Sequence, residues 1–200
     1  MCIIIYNDEK RLDILRSDKE QNSNRDNIFK FKQFVKNKTT TSDKLFTKNP
    51  ARFVDELSKY VILQEAAGGI VLNANHELLM IKRFGRFDLP KGHIEGEESM
   101  EDTAIREVEE ECGIKPDRII QRLEDSYHVF QSPSGVVLKK VYWFLMYYGG
   151  SDTPMPQTEE KITDAGWYTP AEVEVKAKNT FPNLRIYLYK YLRGELFSII

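Results

Sequence analysis

"GHIEGEESMEDTAIREVEEECGI", residues 92–114, decides how the rest of the chain is read. At 100° per residue, positions 99–112 put Ala104, Val108 and Cys112 on one apolar stripe, with Ile105 beside it. Glu107, Glu110 and Glu111, at i, i+3 and i+4, fall together on the neighbouring face, while Glu109 points away to solvent. Ser99 followed by Asp102 is a capping-box variant at the helix start, and Gly113 is the natural residue just past its end. Like charges one turn apart cost roughly 0.2–0.5 kcal/mol per pair. The cluster therefore calls for either full solvation or a cation. A hard divalent ion such as Mg²⁺ takes oxygen ligands and shares its shell with substrate phosphates. On a helix alone, solvation is the commoner outcome. The preceding loop decides between them.

Gly92, Glu98, Arg106, Glu107, Val108, Glu110, Glu111, Gly113 and Ile114 fall, position for position, at the spacing of the Nudix hydrolase signature, and the stretch resembles that family. Seven identities and two aliphatic positions would coincide by chance in such a chain with a frequency on the order of 10⁻⁷. The resemblance implies an α+β fold, a Nudix-type α/β/α sandwich with a mixed β-sheet, over about residues 65–195. It implies a loop-helix-loop that binds Mg²⁺ (or Mn²⁺) and hydrolyses a nucleoside diphosphate linked to another moiety. Glu107, Glu110 and Glu111 would be metal ligands, with the Gly92 carbonyl as a further oxygen, and Glu98 would pair with Arg106. An arginine beside a carboxylate cluster has independent sense, since a charge-assisted bond to a loop glutamate fixes loop against helix.

The chemistry follows from charge. A diphosphate is polyanionic, so bound cations must neutralise it before a water can attack. A general base is still wanted. Glu159 and Glu160, in "QTEEKITDAGWY" (157–168), resemble the place where several family members carry an extra carboxylate, and Glu160 is preferred.

For the substrate, "FDLPKGHIEGEE" (87–98) and "LKKVYWFLMYY" (138–148) resemble segments of the family's diadenosine tetraphosphate hydrolases. Phe87 stands in place of their tryptophan, and the spacing around Gly96 differs slightly. On that likeness Lys91 and Lys140 would contact phosphates, and His93, Tyr127, His128 or Tyr142 would contact the substrate. Diphosphoinositol polyphosphate hydrolases share part of the pattern, which would give a joint role to Lys82, Arg83, Arg86, Lys91, Lys139 and Lys140. The expectation is a cleaved dinucleoside polyphosphate. ADP-ribose or another nucleoside diphosphate sugar is the alternative, and a ligand-sensing regulator is the rival from a different class.

The 200 residues are 41% hydrophobic and 12% aromatic, enough for a core. Net charge is −2, with 29 basic and 31 acidic residues, which gives no global reason to expect nucleic acid or an anionic membrane. Cys2 and Cys112 are expected as reduced thiols in a cytoplasmic protein. The apolar run from Cys2 to Tyr6 is too short for a signal peptide or a membrane span. The expected partner is a small-molecule phosphoanhydride, with a homodimer left open.

Residues 1–62 fall outside the resemblance and are expected as an N-terminal α/β extension, with 63–200 as the Nudix domain. "CIIIYNDEKRLDIL" (2–15) reads as a hairpin, "NIFKFKQFVKNK" (27–38) as a helix, and "TTTSDK" (39–44) as a loop. Asn49-Pro50 opens a helix whose stripe is Phe53, Val54, Leu57, Tyr60 and Val61. The extension is a cap, a dimerisation element or a packing extension. "FKFKQFVKNK" (29–38) is read as a core-facing helix in preference to a nucleic-acid contact. Further on, "EAAGGIVLN", "ELLMIKRFG", "DSYHVFQ", "GVVLKKVYWFLMYY" and "AGWY" read as strands. "RFDLPKGHIEGEE" and "SDTPMPQTEEKITD" read as loops, Thr169–Glu172 as a capping box, and Pro182 as the start of a last helix. Trp167 is expected to close the core.

Overall fold

The computed structural model describes residues 2–18, 23–36 and 42–197. In chain order these form β1 (Cys2–Asn7), β2 (Lys10–Arg16), α1 (Asn24–Lys36), β3 (Ser42–Thr47), α2 (Pro50–Leu57), β4 (Ile62–Asn73) and β5 (Leu78–Arg83). There follow β6 (Arg86–Asp88), β7 (Lys91–His93), α3 (Met100–Cys112), β8 (Arg118–Arg122), β9 (Ser126–Ser132), β10 (Gly135–Tyr148), β11 (Ile162–Tyr168), α4 (Pro170–Lys176) and α5 (Arg185–Leu192). Two compact units result: Met1–Gln64 with Ser126–Lys140, and Glu65–Asp125 with Val141–Ile200. A single cut after residue 62 is thus not how the structure divides. Ser126–Lys140 joins the first unit because β9 pairs in parallel with β1, Ile5 opposite Tyr127 and Tyr6 opposite His128. A pairing so distant in sequence leaves no local pattern to read.

In the first unit the expected hairpin is present, running from Cys2 opposite Leu15 to Asn7 opposite Lys10, with Asp8 at φ 51° in its turn. β3 runs parallel to β2, Arg11 opposite Ser42 through Arg16 opposite Thr47. Ser42–Lys44, expected as loop, is therefore strand: its polar residues follow backbone pairing while Leu45 alone is driven fully into the core. The remainder of the loop reading, 39–41, and the last two residues of the helix reading, 37–38, lie outside the described residues, as do residues 19–22. Phe31 and Phe34 of α1 and Phe53, Val54 and Leu57 of α2 pack on Ile5, Leu12, Ile14, Leu45, Val129 and Leu138. The Asn49 side chain accepts a hydrogen bond from the Arg52 amide at 3.1 Å and Pro50 occupies the first turn. α2 stops at Leu57, so the expected stripe loses Tyr60, which is 52% exposed.

The second unit is built on the order β11-β5-β4-β10, with β6 on β5, β7 on β4 and β8 on β10. Alternation along the strands sorts its two faces. Ile70, Leu72, Met80, Trp143 and Leu145 pack on Val173, Leu188 and Tyr191 from α4 and α5. Val71, Leu79, Ile81, Phe144 and Met146 face the other way, onto Ala104, Val108 and Cys112 of α3. Helices on both faces of a mixed sheet make the expected α/β/α sandwich. Trp167 stacks on Tyr148, ring centroids 5.6 Å apart, and closes its corner.

The structure corrects two expectations in this unit and adds one strand, β8. "RFDLPKGHIEGEE" is not all loop, because Arg86–Asp88 and Lys91–His93 each borrow a ladder from a longer strand. β8 lies antiparallel to β10 although its sequence, "RIIQR", gave no alternation to follow. β11 starts at Ile162, three residues before "AGWY", since Ile162 is buried against β5. Both cysteines are unpaired. Among the described residues no helix is long and apolar enough to cross a membrane.

Candidate active site

α3 is stopped at both ends by its own sequence. The Ser99 hydroxyl accepts from the Asp102 amide at 3.0 Å, and Gly113 adopts φ 65° while its amide reaches the Glu109 carbonyl at 2.8 Å. Between those caps the apolar stripe seats the helix on the sheet and fixes its azimuth. Glu107 and Glu111 turn inward, 8% and 1% exposed, whereas the Glu110 side chain is 49% exposed and Glu109 faces solvent.

β7 runs beside this acidic side of the helix and supplies its counterpart. Gly92 lies directly beneath Glu107: a Cβ there would sit 2.0 Å from Glu107 Oε1, so no residue with a side chain fits without moving the carboxylate. The next backbone amide, that of Lys91, donates to Glu111 Oε2 at 2.9 Å. The glycine is required by close approach rather than by its dihedral angles.

Arg106 ties the loop to the helix. Its Nε and Nη2 reach the two oxygens of Glu98, each at 2.9 Å, and Nη2 also donates to the His93 carbonyl at 3.0 Å. Its Nη1 reaches Glu107 Oε1 at 2.8 Å and Glu110 Oε2 at 3.0 Å. The Glu98–Arg106 pairing expected from sequence is therefore present, and it is bidentate. This fork holds the Glu98 carboxyl down at about 2, with the Thr103 hydroxyl adding a further bond at 3.0 Å.

Glu107 and Glu111 go the other way. Burial pushes Glu111 up to about 7 against the opposing pull of Lys91. Burial likewise raises Glu107, with Arg106 opposing. Two carboxylates held in a dry place with insufficient positive charge are the donor chemistry a hard cation satisfies. Two carboxylate oxygens already converge on one cationic atom, Arg106 Nη1. The side chains thus fit a divalent ion in donor type, burial and charge. They do not form a ready-made cage: among the described residues no three acidic, histidine or cysteine groups surround one point. The three glutamates share one side of the helix, but Glu111 turns from the other two toward Lys91.

A second arginine extends the site. Arg83 Nη1 lies 3.5 Å from Glu111 Oε1, and its Nη2 donates to Glu160 Oε2 at 2.8 Å. Glu160 sits in a 3₁₀ turn, Thr158–Glu160, and Glu159 beside it accepts from the Thr158 hydroxyl at 3.4 Å. Arg83 as a link between α3 and the 158–160 turn was not read from sequence. The signal was there: along β5 it shares a face with Leu79 and Ile81, both of which pack toward α3.

The other expected contacts are dispersed. The Lys91 ammonium is engaged internally, 2.6 Å from Asp88 Oδ2 and 3.3 Å from the Leu89 carbonyl. His93 is exposed and contributes its carbonyl to Arg106. Tyr142 is buried, donates to Glu65 and lies under the Arg122 guanidinium. Tyr127 is buried in the core of the first unit, the unit to which His128, Lys139 and Lys140 also belong. Lys82 and Arg86 lie over the rings of Phe87 and Phe181, at 5.7 and 5.3 Å. Within the second unit, Lys82, Arg83, Arg86 and Lys91 therefore do not gather into one basic patch; each has its own local partner.

Residues 62–190 match the family model described as the NUDIX domain. The chain is 30% identical over 115 residues to MutT4 of Mycobacterium tuberculosis, a match covering 52% of this chain and 45% of that protein. It thus spans about half the length of that relative. MutT from Methanosarcina mazei Go1 superposes with a TM-score of 0.50 at 19% identity, over 68% of this chain and 96% of that one. The NUDIX domain of Shewanella oneidensis NrtR, solved in complex with ADP ribose, gives 0.51 at 19% identity over 74% and 99%. At such identities the two structures establish a common fold.

Proposed function

This chain belongs to the Nudix family, and from that membership we propose that it is a Mg²⁺- or Mn²⁺-dependent hydrolase cleaving a diphosphate linkage in a nucleoside polyphosphate such as a dinucleoside polyphosphate. The observation that carries the reading is the pair of buried carboxylates, Glu107 and Glu111, held against the Gly92–Lys91 backbone beside a third, Glu110. Glu107, Glu110 and Glu111 would hold the ion, with the Gly92 carbonyl next to them. When bound, a divalent ion supplies charge neutralisation of the diphosphate and a lowered pKa for a coordinated water.

The remaining steps belong to side chains. Arg106 keeps the 92–98 loop in register with α3 by gripping Glu98 and the His93 carbonyl together. Glu160, which accepts from Arg83, would take the proton of the attacking water as general base. That reading is supported by Arg83, whose guanidinium also lies beside Glu111, so that one side chain would tie base to metal ligand. The dinucleoside polyphosphate class is supported by the likeness of residues 87–98 and 138–148 to the diadenosine tetraphosphate hydrolases.

The test is hydrolysis of a panel of dinucleoside polyphosphates, nucleoside triphosphates, ADP-ribose and diphosphoinositol polyphosphates with Mg²⁺ or Mn²⁺. Turnover on the first class is expected, with loss of several orders of magnitude in Glu160→Gln and in Glu111→Gln. Turnover confined to ADP-ribose would replace the substrate class. No turnover on any member, with tight binding of one, would replace the enzyme by a ligand sensor.

A further inference from the structure

The near-neutral total charge conceals a division between the units. The first holds 15 basic and 9 acidic residues, the second 14 and 22. A strongly acidic unit suits one that holds cations. The basic surplus of the other has no part in that chemistry and calls for its own explanation.

A groove of about 490 Å³ in the first unit, between α1 and the end of α2, gives the surplus a place to act. Arg25, Phe29, Lys32, Lys59 and Tyr60 line it. Phe29 is 62% exposed and Tyr60 52%, so two large rings face solvent on the same groove. Phe29 makes no ring contact among the described residues, and Lys32 Nζ stands 5.1 Å over the Tyr60 ring. Lys32 and Lys59 form no ion pair among the described residues. The one carboxylate in the groove, Glu56, is taken up by the Asn24 amide at 2.6 Å and by Arg52 at 3.5 Å. What remains is an open Phe29 ring, a Tyr60 ring topped by the Lys32 ammonium, and the Lys59 ammonium beside them, with Arg25 at the edge next to Asp26. The ligand matching that combination is planar and anionic. Stacking on exposed aromatics beside a basic track is how a base with its phosphate is held without sequence readout, and the volume lies within the range of small-ligand pockets.

We propose that the α1–α2 groove is a binding site for a phosphate-bearing nucleobase, stacked on Phe29 and Tyr60 with its phosphates on Lys32, Lys59 and Arg25. The source is a free nucleotide or a single-stranded nucleic acid, which present the same chemistry. The site is independent of the hydrolytic reading.

The experiment measures fluorescence anisotropy of the full chain with two probes, a fluorescein-labelled single-stranded oligouridylate of about ten nucleotides and fluorescein-labelled AMP, in EDTA and across a salt series. Binding is expected, weakened roughly tenfold or more in Phe29→Ala/Tyr60→Ala. In Lys32→Ala/Lys59→Ala the dependence of log affinity on log salt should flatten by about 1.4 for the oligonucleotide, two phosphate contacts at ~0.7 each. All four side chains lie on the surface of helices or their ends, and unchanged thermal unfolding of both variants shows the fold kept. Binding of the oligonucleotide alone identifies a strand as the source; equal binding of AMP identifies the free nucleotide. The proposal is overturned if neither probe binds, if both double variants bind as the wild type does, or if tripolyphosphate competes as well as a nucleotide.

Discussion

Arg106 grips Glu98 with two of its nitrogens, Nε and Nη2, each 2.9 Å from a different carboxylate oxygen, while its remaining nitrogen holds Glu107 and Glu110. One guanidinium thereby sets the loop that precedes α3 and the carboxylates that project from it. Lysine cannot reproduce this, because a single ammonium has no planar fork. Arg106→Lys is expected to keep the charge but lose the geometry, weakening metal-dependent turnover roughly 10–100-fold. Faster hydrogen exchange in the 94–99 loop, measured alongside, would show that the lost restraint is the loop's; unchanged exchange and turnover would assign Arg106 no positioning role.

The same pair makes a pH claim. Glu98 sits near 2 in the folded protein against an ordinary carboxyl near 4.5, so its folded pKa is depressed. A depressed carboxyl contributes stability that is fully present above the unfolded value and lost as pH falls through the folded one. Urea unfolding of wild type and Glu98→Gln should therefore differ most above pH 4.5 and converge as pH approaches 2. A gap that persists undiminished at low pH would mean the contribution is not electrostatic.

Gly92→Ala tests the close approach beneath Glu107. The clashing atoms are the far end of a flexible side chain, so the fold should tolerate the change at a cost of about 1 kcal/mol or less. The carboxylate itself must move, and displacement of a catalytic group by about 1 Å typically costs 10²-fold. Loss of turnover with melting temperature retained is the expected signature, read by activity assay and calorimetry together.

Lys91 was expected at a substrate phosphate, but its ammonium is held by Asp88, the two side chains only 13% and 5% exposed. Lys91→Met would strand Asp88 as a buried, unpaired charge, a change worth about 3–5 kcal/mol. Chemical denaturation should show that loss, and Asp88→Leu added to Lys91→Met should recover most of it. A lysine devoted to substrate would instead change KM and leave stability alone.

What the sequence made legible was whatever is written in local spacing. The α3 helix, its caps, the shared side of Glu107, Glu110 and Glu111, the Glu98–Arg106 bond and the sandwich all follow from periodicity and a complete motif, whereas the burial of Glu107 and Glu111 but not Glu110 is set by the packing of the helix. What escaped depends on residues far apart in the chain. Arg83 reaches Glu160 across 77 positions, and Tyr127 enters the core of the first unit because β9 pairs with β1. Tyr127 and Tyr142 are aromatic for packing and hydrogen bonding, a use that strand composition alone does not distinguish from ligand contact. Lys91 lies in the motif region, yet its ammonium turns to Asp88, three residues before it, where no helix makes that spacing meaningful.

The central claim is that Glu107, Glu110 and Glu111 hold a divalent cation. Titration of Mn²⁺ into the apo protein, following the free-ion signal by electron paramagnetic resonance, addresses it without reference to any substrate. Saturable binding is expected, weakened at least tenfold in Glu111→Gln and in Glu110→Gln, with both variants folded. Saturation of the two variants at the wild-type affinity would contradict it.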